Sequence, residues 1–280
     1  MSDGYALLDG TLLPAREVQL ALPNRGLQFN DGFFETMIYE AGRLRWAAEH
    51  LARMQQAARV LHLSLPPSLS SVAQLTGTLQ ALADAQPPTT GAVRLRLQLW
   101  RAGGGLYTPA TSETHWLATA TPHVPNDAPV GRAGIAHSIR THFSPVSFCK
   151  GPYALHYVLA AQERAARGLD ELLLLDAHGH VAEAVAAAVF WIRQNELFTP
   201  ALETGCVAGV RRARLLQVAE AAGIRCHMDL FPLTALLAAE AVFTANVAGI
   251  RLVQAIDGQE FAAQHPLVDL LRYREAATQP

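Results

Sequence analysis

The chain predicts an α+β protein built in two parts, and three observations carry that prediction. Near the N-terminus, short apolar runs flank turn formers in pairs, the pattern of antiparallel hairpins. Helical periodicity then takes over in two long stretches, and strands and helices never settle into the regular strand–helix–strand repeat of a doubly wound sheet. Midway, Thr121-Pro-His-Val-Pro-Asn-Asp-Ala-Pro129 gathers proline and turn formers and reads as a linker. Residues 1–120 are therefore expected to form an N-terminal α/β subdomain, 121–132 the linker, and 133–280 a larger C-terminal subdomain.

Tyr5–Leu8 and Leu12–Pro14 make a first hairpin around Asp9-Gly10, and Phe33–Tyr39 with Arg43–Trp46 a second, around Glu40-Ala-Gly42. From Ala47 to Leu61, apolar Leu51, Met54, Ala58 and Leu61 fall three to four apart and predict a helix. A second runs over 70–85, with Val72, Leu75, Leu79 and Leu82 on one face, stopped by Pro87-Pro88. Val93 to Trp100 alternates as a half-buried strand does. Beyond the linker, a helix from Pro152 closes on Gly168. Strands at 172–175, 180–184 and 189–193 follow, then an amphipathic helix over 209–223.

Half the residues are hydrophobic, yet no apolar run reaches the roughly 18 residues of a membrane helix. The opening MSDGYALLDG lacks a basic region followed by an apolar stretch, so no signal peptide is expected. A net charge of −2 with both signs interspersed gives no footprint for nucleic acid. Cys149, Cys206 and Cys226 have neither disulfide nor zinc spacing, which suits a reducing cytoplasm. His178 and His180 flank a turn glycine and read as solvated, so no metal is expected.

Lys150 is the only lysine; every other one of the 22 Lys and Arg residues is arginine. Arginine replaces lysine on most solvated surfaces, but a guanidinium cannot form an imine with a carbonyl and a primary amine can. On composition alone a lone lysine is also what drift leaves behind. If it held pyridoxal phosphate, the ring nitrogen would need a carboxylate and the phosphate an anion cradle. The amine would have to shuttle protons, and bulk water would have to be kept out. Glu183, set among small residues, suits the first demand, though it also reads as an ordinary edge-strand glutamate. Gly205-Cys-Val-Ala-Gly209 before a helix suits the second, as does a plain loop-to-helix turn. Thr244-Ala-Asn246 could supply a second polar strand end, and Arg53 a cation from the first helix, where arginines are ordinarily solvated.

The order of motifs resembles one family. Arg25-Gly-Leu-Gln-Phe-Asn-Asp-Gly-Phe-Phe-Glu-Thr36, Glu49-His-Leu-Ala-Arg53, Lys150, Asp170-Glu171-x4-Asp176-x2-Gly179-x3-Glu183 and Gly205-Cys-Val-Ala-Gly-Val-Arg-Arg212 follow one another as in the class IV, fold-type IV pyridoxal-phosphate enzymes. That family includes branched-chain and D-amino acid aminotransferases and 4-amino-4-deoxychorismate lyases. The resemblance runs from about Gly4 to Gly258. It implies that pyridoxal 5'-phosphate lies in a cleft between the two subdomains. Lys150 would be its imine-forming residue, Glu183 the ring-nitrogen partner and Arg53 a phosphate ligand. Val210 and Arg211 would offer backbone N–H groups to the phosphate, with Ala245 and Asn246 completing the cradle. A homodimer acting on a small amine or amino acid is implied as well, with no membrane or nucleic-acid partner.

Three features resemble the lyase branch: Thr36, the Leu99–Pro109 loop with its arginine, glycines and tyrosine, and Phe190-Trp191 at a strand end. Thr36 is then catalytic, giving a proton as the enolpyruvyl group leaves to yield pyruvate and 4-aminobenzoate, a folate precursor. In the aminotransferase alternative, Lys150 returns the proton to the cofactor instead; a third reading is cofactor binding with lost activity. Departures from the family pattern fall at Asn30 (usually glycine), Tyr153 (usually asparagine), Ala187-Ala188 (usually Ser-Asn) and Arg211 (commonly threonine).

Overall fold

The computed structural model describes residues 4–86 and 91–277, so the expected Pro87-Pro88 stop lies outside the described residues. Two units emerge. The first runs to Val124 and takes in Cys149–Pro152; the second holds Pro125–Phe148 and continues from Tyr153.

The first unit comprises β1 (Tyr5–Leu8), β2 (Thr11–Pro14), α1 (Arg25–Phe29), β3 (Gly32–Glu40), β4 (Arg43–Leu44), α2 (Ala47–Leu61), α3 (Val72–Asp84), β5 (Val93–Arg101) and β6 (Thr114–Pro122). Its sheet has the order β2-β1-β6-β5-β3-β4, and every pair is antiparallel. Both expected hairpins form, but the return strand of the second stops at Leu44. Trp46 instead takes a left-handed backbone (φ +51°) as the residue that starts α2. Ser71 caps α3, its Oγ accepting the N–H of Gln74 at 3.2 Å.

The pleat sends alternate side chains to opposite faces. One face carries buried Phe33, Met37, Leu95, Leu97, Leu99 and Trp116. The helices cover the sheet, α2 on β3 and α3 on β5 and β6, burying Met54, Leu75, Leu79 and Leu82 completely. Each such side chain contributes about 1.5–3 kcal/mol. The other face is more polar: Phe34, Thr36 and Ile38 of β3 stand opposite Gln98, Arg96 and Arg94 of β5.

The second unit holds β7 (Ala133–Thr141), α4 (Ala154–Ala166), β8 (Glu171–Asp176), β9 (Val181–Ala184), β10 (Ala188–Arg193), β11 (Glu196–Pro200), α5 (Val210–Ala221), β12 (Cys226–Asp229) and α6 (Leu233–Leu237), then β13 (Ala241–Asn246), β14 (Gly249–Val253), β15 (Ala255–Ile256), β16 (Gln259–Glu260) and α7 (Pro266–Ala277). They form two five-stranded sheets, β12-β11-β10-β13-β14 and β16-β15-β7-β8-β9. The parallel neighbours β7 and β8 are joined through α4, as a parallel pair requires a crossover. Phe190 stacks on Phe243 at 5.1 Å within a core that also takes Leu215 and Val218 from α5 and Leu267 and Leu271 from α7. Helix and sheet are thus mixed without a repeating βαβ pattern, as the α+β reading expects.

Candidate active site

In the first unit, the segment carrying half-buried Lys150 is pinned to β3 by its backbone. The N–H of Phe34 donates to the Lys150 carbonyl at 2.9 Å, and the Asn30 side-chain amide donates to the Gly151 carbonyl at 2.6 Å. Gly151 has φ +137°, and a Cβ there would stand 2.9 Å from the Cα of Phe33, so a larger residue would push the segment off the strand. The lysine backbone is therefore fixed beside a strand position two residues from Thr36, itself only 5% exposed.

Arg53 lies on the sheet-facing side of α2. Its Nε donates to Glu35 Oε1 at 2.7 Å and its Nη2 to Oε2, while the His50 Nδ1 meets Oε2 at 2.7 Å. All three side chains are buried. Burial alone would raise the Glu35 pKa, but the Arg53 charge and the His50 contact outweigh it and bring it to about 2. Burial lowers the His50 pKa against the pull of Glu35, so the imidazole stays neutral at pH 7 and donates from Nδ1. Its Nε2 is buried with no hydrogen-bond partner among the described residues. Beside Lys150, burial drives the Cys149 thiol up to about 11 despite the Arg53 charge, which leaves it protonated and unreactive at neutral pH.

Asp31 organises the glycine-rich loop. It accepts from Arg25 Nε at 2.7 Å and Arg101 Nε at 2.9 Å, and these two cations hold its carboxyl below the usual range against the effect of burial. Arg25 Nη1 in turn donates to the carbonyls of Gly104, Gly105 and Leu106 at 3.3, 3.2 and 2.7 Å. One half-buried carboxylate thereby orients both arginines, and one of them shapes the loop.

In the second unit, Glu183 sits on β9, an edge strand of its sheet, yet is only 4% exposed. Tyr157 of α4 donates its hydroxyl to Oε1 at 2.6 Å, and the Val207 N–H donates to Oε2 at 3.2 Å. The second contact ties this acid to the loop that opens α5. Within that loop Gly205 adopts φ +83°, and a Cβ would meet the His142 carbonyl carbon at 2.5 Å. Gly209 then starts the helix with no side-chain cap on the first-turn N–H groups, among them those of Val210 and Arg211. The Arg211 side chain turns to other partners: Nε and Nη2 take both oxygens of buried Glu275 on α7, and Nη1 donates to the Asn246 carbonyl at 2.8 Å. Asn246 ends β13 beside buried Ala245 and donates to the Ala186 carbonyl at 3.1 Å. That amide reaches the turn after Glu183 from another strand, where the family's usual asparagine at position 188 is missing. His180 pairs with Asp176 at 2.8 Å.

Taken singly, each within its own unit, these groups suit the parts of pyridoxal phosphate: the uncapped N-terminus of the 12-residue α5 suits a phosphate, the buried acid held by two donors a ring N–H, and the primary amine of Lys150 an imine. Sequence reasoning passed over several supporting residues. Glu35 and His50 lay inside quoted motifs without a role; only their burial and mutual contacts reveal one. Tyr157 and Glu275 gave no local signal, being 26 and 64 residues from their partners.

The amino-transferase class IV family profile matches residues 32–256. Among curated proteins, the chain is 25% identical over 269 residues to an aminodeoxychorismate lyase of Vibrio harveyi, covering 91% of this chain and 94% of that one. It is 26% identical over 267 residues to a D-alanine aminotransferase of Bacillus licheniformis, covering 93% and 91%. Among solved structures, the 4-amino-4-deoxychorismate lyase of Pseudomonas aeruginosa superposes with a TM-score of 0.83 at 27% identity, over 98% of this chain and 100% of that one. The branched-chain aminotransferase of Escherichia coli shares the fold, with a TM-score of 0.87 at 18% identity over 99% and 95%. The fold and the motif order define a fold-type IV enzyme dependent on pyridoxal phosphate. The chain belongs to the class IV aminotransferase family.

Proposed function

We propose that the chain is a 4-amino-4-deoxychorismate lyase, releasing 4-aminobenzoate and pyruvate for folate precursor synthesis. The observation that carries this reading is Thr36: a buried hydroxyl on the strand whose Phe34 N–H is bonded to the Lys150 carbonyl. A leaving enolpyruvyl group needs a proton donor that a simple amino transfer does not, and this hydroxyl is suited to give one. The lyases among the relatives and the P. aeruginosa superposition support the same choice.

In this reading Lys150 holds the cofactor through its amine and then accepts the proton from the substrate carbon that bears nitrogen. Glu183, held by Tyr157 and Val207, would pair with the ring nitrogen and keep it protonated. Val210 and Arg211 would offer their N–H groups to the phosphate, with Ala245, Asn246 and the cation of Arg53 as further ligands. Pyridoxal phosphate, when bound, draws electrons away from the carbon being deprotonated. The enzyme works as a cytoplasmic homodimer; Leu106 and Tyr107, 80% and 90% exposed on the arginine-held loop, suit a subunit contact, and three free thiols suit a reducing compartment.

Amino transfer is the second reading, favoured by the D-alanine and branched-chain aminotransferases among the relatives. Purified protein incubated with 4-amino-4-deoxychorismate and no amino acceptor should release pyruvate and 4-aminobenzoate in equal amounts. Glutamate formed from leucine or D-alanine with 2-oxoglutarate, and no pyruvate in the first assay, would contradict the lyase assignment.

A further inference from the structure

Arg212 ends the glycine-rich motif before α5, and the phosphate cradle gives it no task. It stands on the first turn of α5 and is only 7% exposed. Its Nη2 donates to the Pro200 carbonyl at 2.7 Å, while its Nε is buried with no hydrogen-bond partner among the described residues. Among those residues, no carboxylate forms an ion pair with it. A buried guanidinium with no acid at contact distance is costly, and only an anion further off can offset it. Glu183, in the same unit, is placed to do so. The Val207 N–H that bonds its Oε2 belongs to the loop leading into α5, which carries Arg212. Cys206, next to that contact, feels both charges: burial pushes its thiol up to about 11, with Glu183 adding to the rise and Arg212 opposing it. Burial likewise lowers the Arg212 pKa, and the Cys206 thiol, Glu183 and Glu203 pull it back. Of those three, the thiol is neutral at pH 7 and Glu203 is exposed, where water screens it; Glu183 is the buried anion. On neighbouring elements, Glu171 faces Arg164, Asp176 holds His180 and Arg211 takes Glu275. The β10–β11 hairpin carries Arg193 and Glu196 at its turn.

We infer that Arg212 is a positioning residue that acts through Glu183: its buried charge keeps that acid an anion, ready for the cofactor's ring nitrogen. The inference rests on Glu183 being the ring-nitrogen partner, which the lyase and aminotransferase readings share. Tyr157 and Val207 orient the carboxylate as hydrogen-bond donors but bring no net charge to oppose the effect of its burial. Arg211, one residue earlier, cannot supply that charge, since Glu275 neutralises it. A protonated Glu183 could not balance a cationic ring nitrogen, so the nearby guanidinium decides whether the acid is competent. The attraction is reciprocal, and it explains why a guanidinium persists in a buried place with no acid in contact.

The test follows Glu183 itself. In the full chain without cofactor, carbon-13 NMR of isotope-enriched glutamate side chains gives its titration midpoint, its signal being the one missing from Glu183→Gln. For Arg212→Gln the midpoint should rise by about one pH unit, the effect of removing one nearby opposite charge. Arg212→Met should raise it as much, although it cannot bond the Pro200 carbonyl. Arg212→Lys keeps the charge and should stay near the parent. Either neutral variant with the parent's circular dichroism spectrum suffices. With cofactor, affinity for pyridoxal phosphate should decline as pH falls through the Glu183 midpoint, and in the neutral variants that decline should begin about one unit higher. A midpoint unmoved in the neutral variants, or moved as far in Arg212→Lys, would overturn the inference and leave Arg212 as a tie to β11. Failure of the ring-nitrogen reading looks different: the midpoint shifts as expected, but Glu183→Gln binds pyridoxal phosphate as tightly as the parent.

Discussion

Asn30 holds a left-handed backbone at φ +53° and uses its amide to grip the Gly151 carbonyl next to Lys150. Asparagine is among the few residues that tolerate this conformation, so it can stand where the family usually has glycine and add a bond that glycine lacks. Asn30→Gly loses that bond alone and should cost about 1 kcal/mol. Asn30→Ala adds left-handed strain of about 1–2 kcal/mol and should be the worse of the two. Urea unfolding of both variants checks the order; alanine matching or exceeding glycine in stability would contradict it. Arg211 is the other informative departure. Its guanidinium is taken by Glu275 and the Asn246 carbonyl, so what it offers at the helix start is its backbone N–H, which any residue but proline has.

At the scale of elements, α2 and β3 are joined by charge as well as by packing. Glu35 on the strand neutralises Arg53 on the helix, and His50, one turn earlier, completes the cluster. Removing the acid leaves a guanidinium buried without its counter-charge, so Glu35→Ala should destabilise the enzyme by about 3–5 kcal/mol. Denaturant midpoints measure this, and a loss below about 1 kcal/mol would show that the cluster contributes little. These elements differed in how plainly the sequence announced them. Helix α2 could be read to its ends because Leu51, Met54, Ala58 and Leu61 recur at helical spacing and two turns bound them. β7 could not: its run Ala-Gly-Ile-Ala-His-Ser-Ile-Arg-Thr mixes small and polar residues, and its partner β8 lies across a helix in sequence. β15 and β16 have two residues each, too few for any period.

For the whole molecule, the titrating groups set a pH window. Asp31, Glu35, Glu163 and Asp176 all ionise more readily than free carboxylates because arginines, a histidine or backbone N–H groups hold their anions. The folded chain therefore binds fewer protons in acid than the unfolded chain. That stability is complete above the ordinary glutamate value of 4.5 and is lost as pH falls toward about 2, where Glu35 and Glu163 finally titrate. His50 acts in the same direction from higher pH, since burial keeps it neutral below its ordinary 6.5. Glu171, raised by burial, opposes them. Urea midpoints should thus fall continuously from pH 6.5 downward, and a midpoint that held or rose to pH 3 would contradict the balance. The lone lysine, the spacing of Glu183 and the glycines before α5 were legible because imine formation and anion binding demand particular residue types. Tyr157 on Glu183, Glu275 on Arg211 and Arg96 opposite Thr36 were not, since those contacts depend on tertiary packing and strand register. The central claim is that Lys150 carries the cofactor. Borohydride reduction of the yellow enzyme followed by peptide mass spectrometry should find one pyridoxyl group, on Lys150. A reduced protein with no label there, or with the label on the N-terminal amine alone, would contradict it.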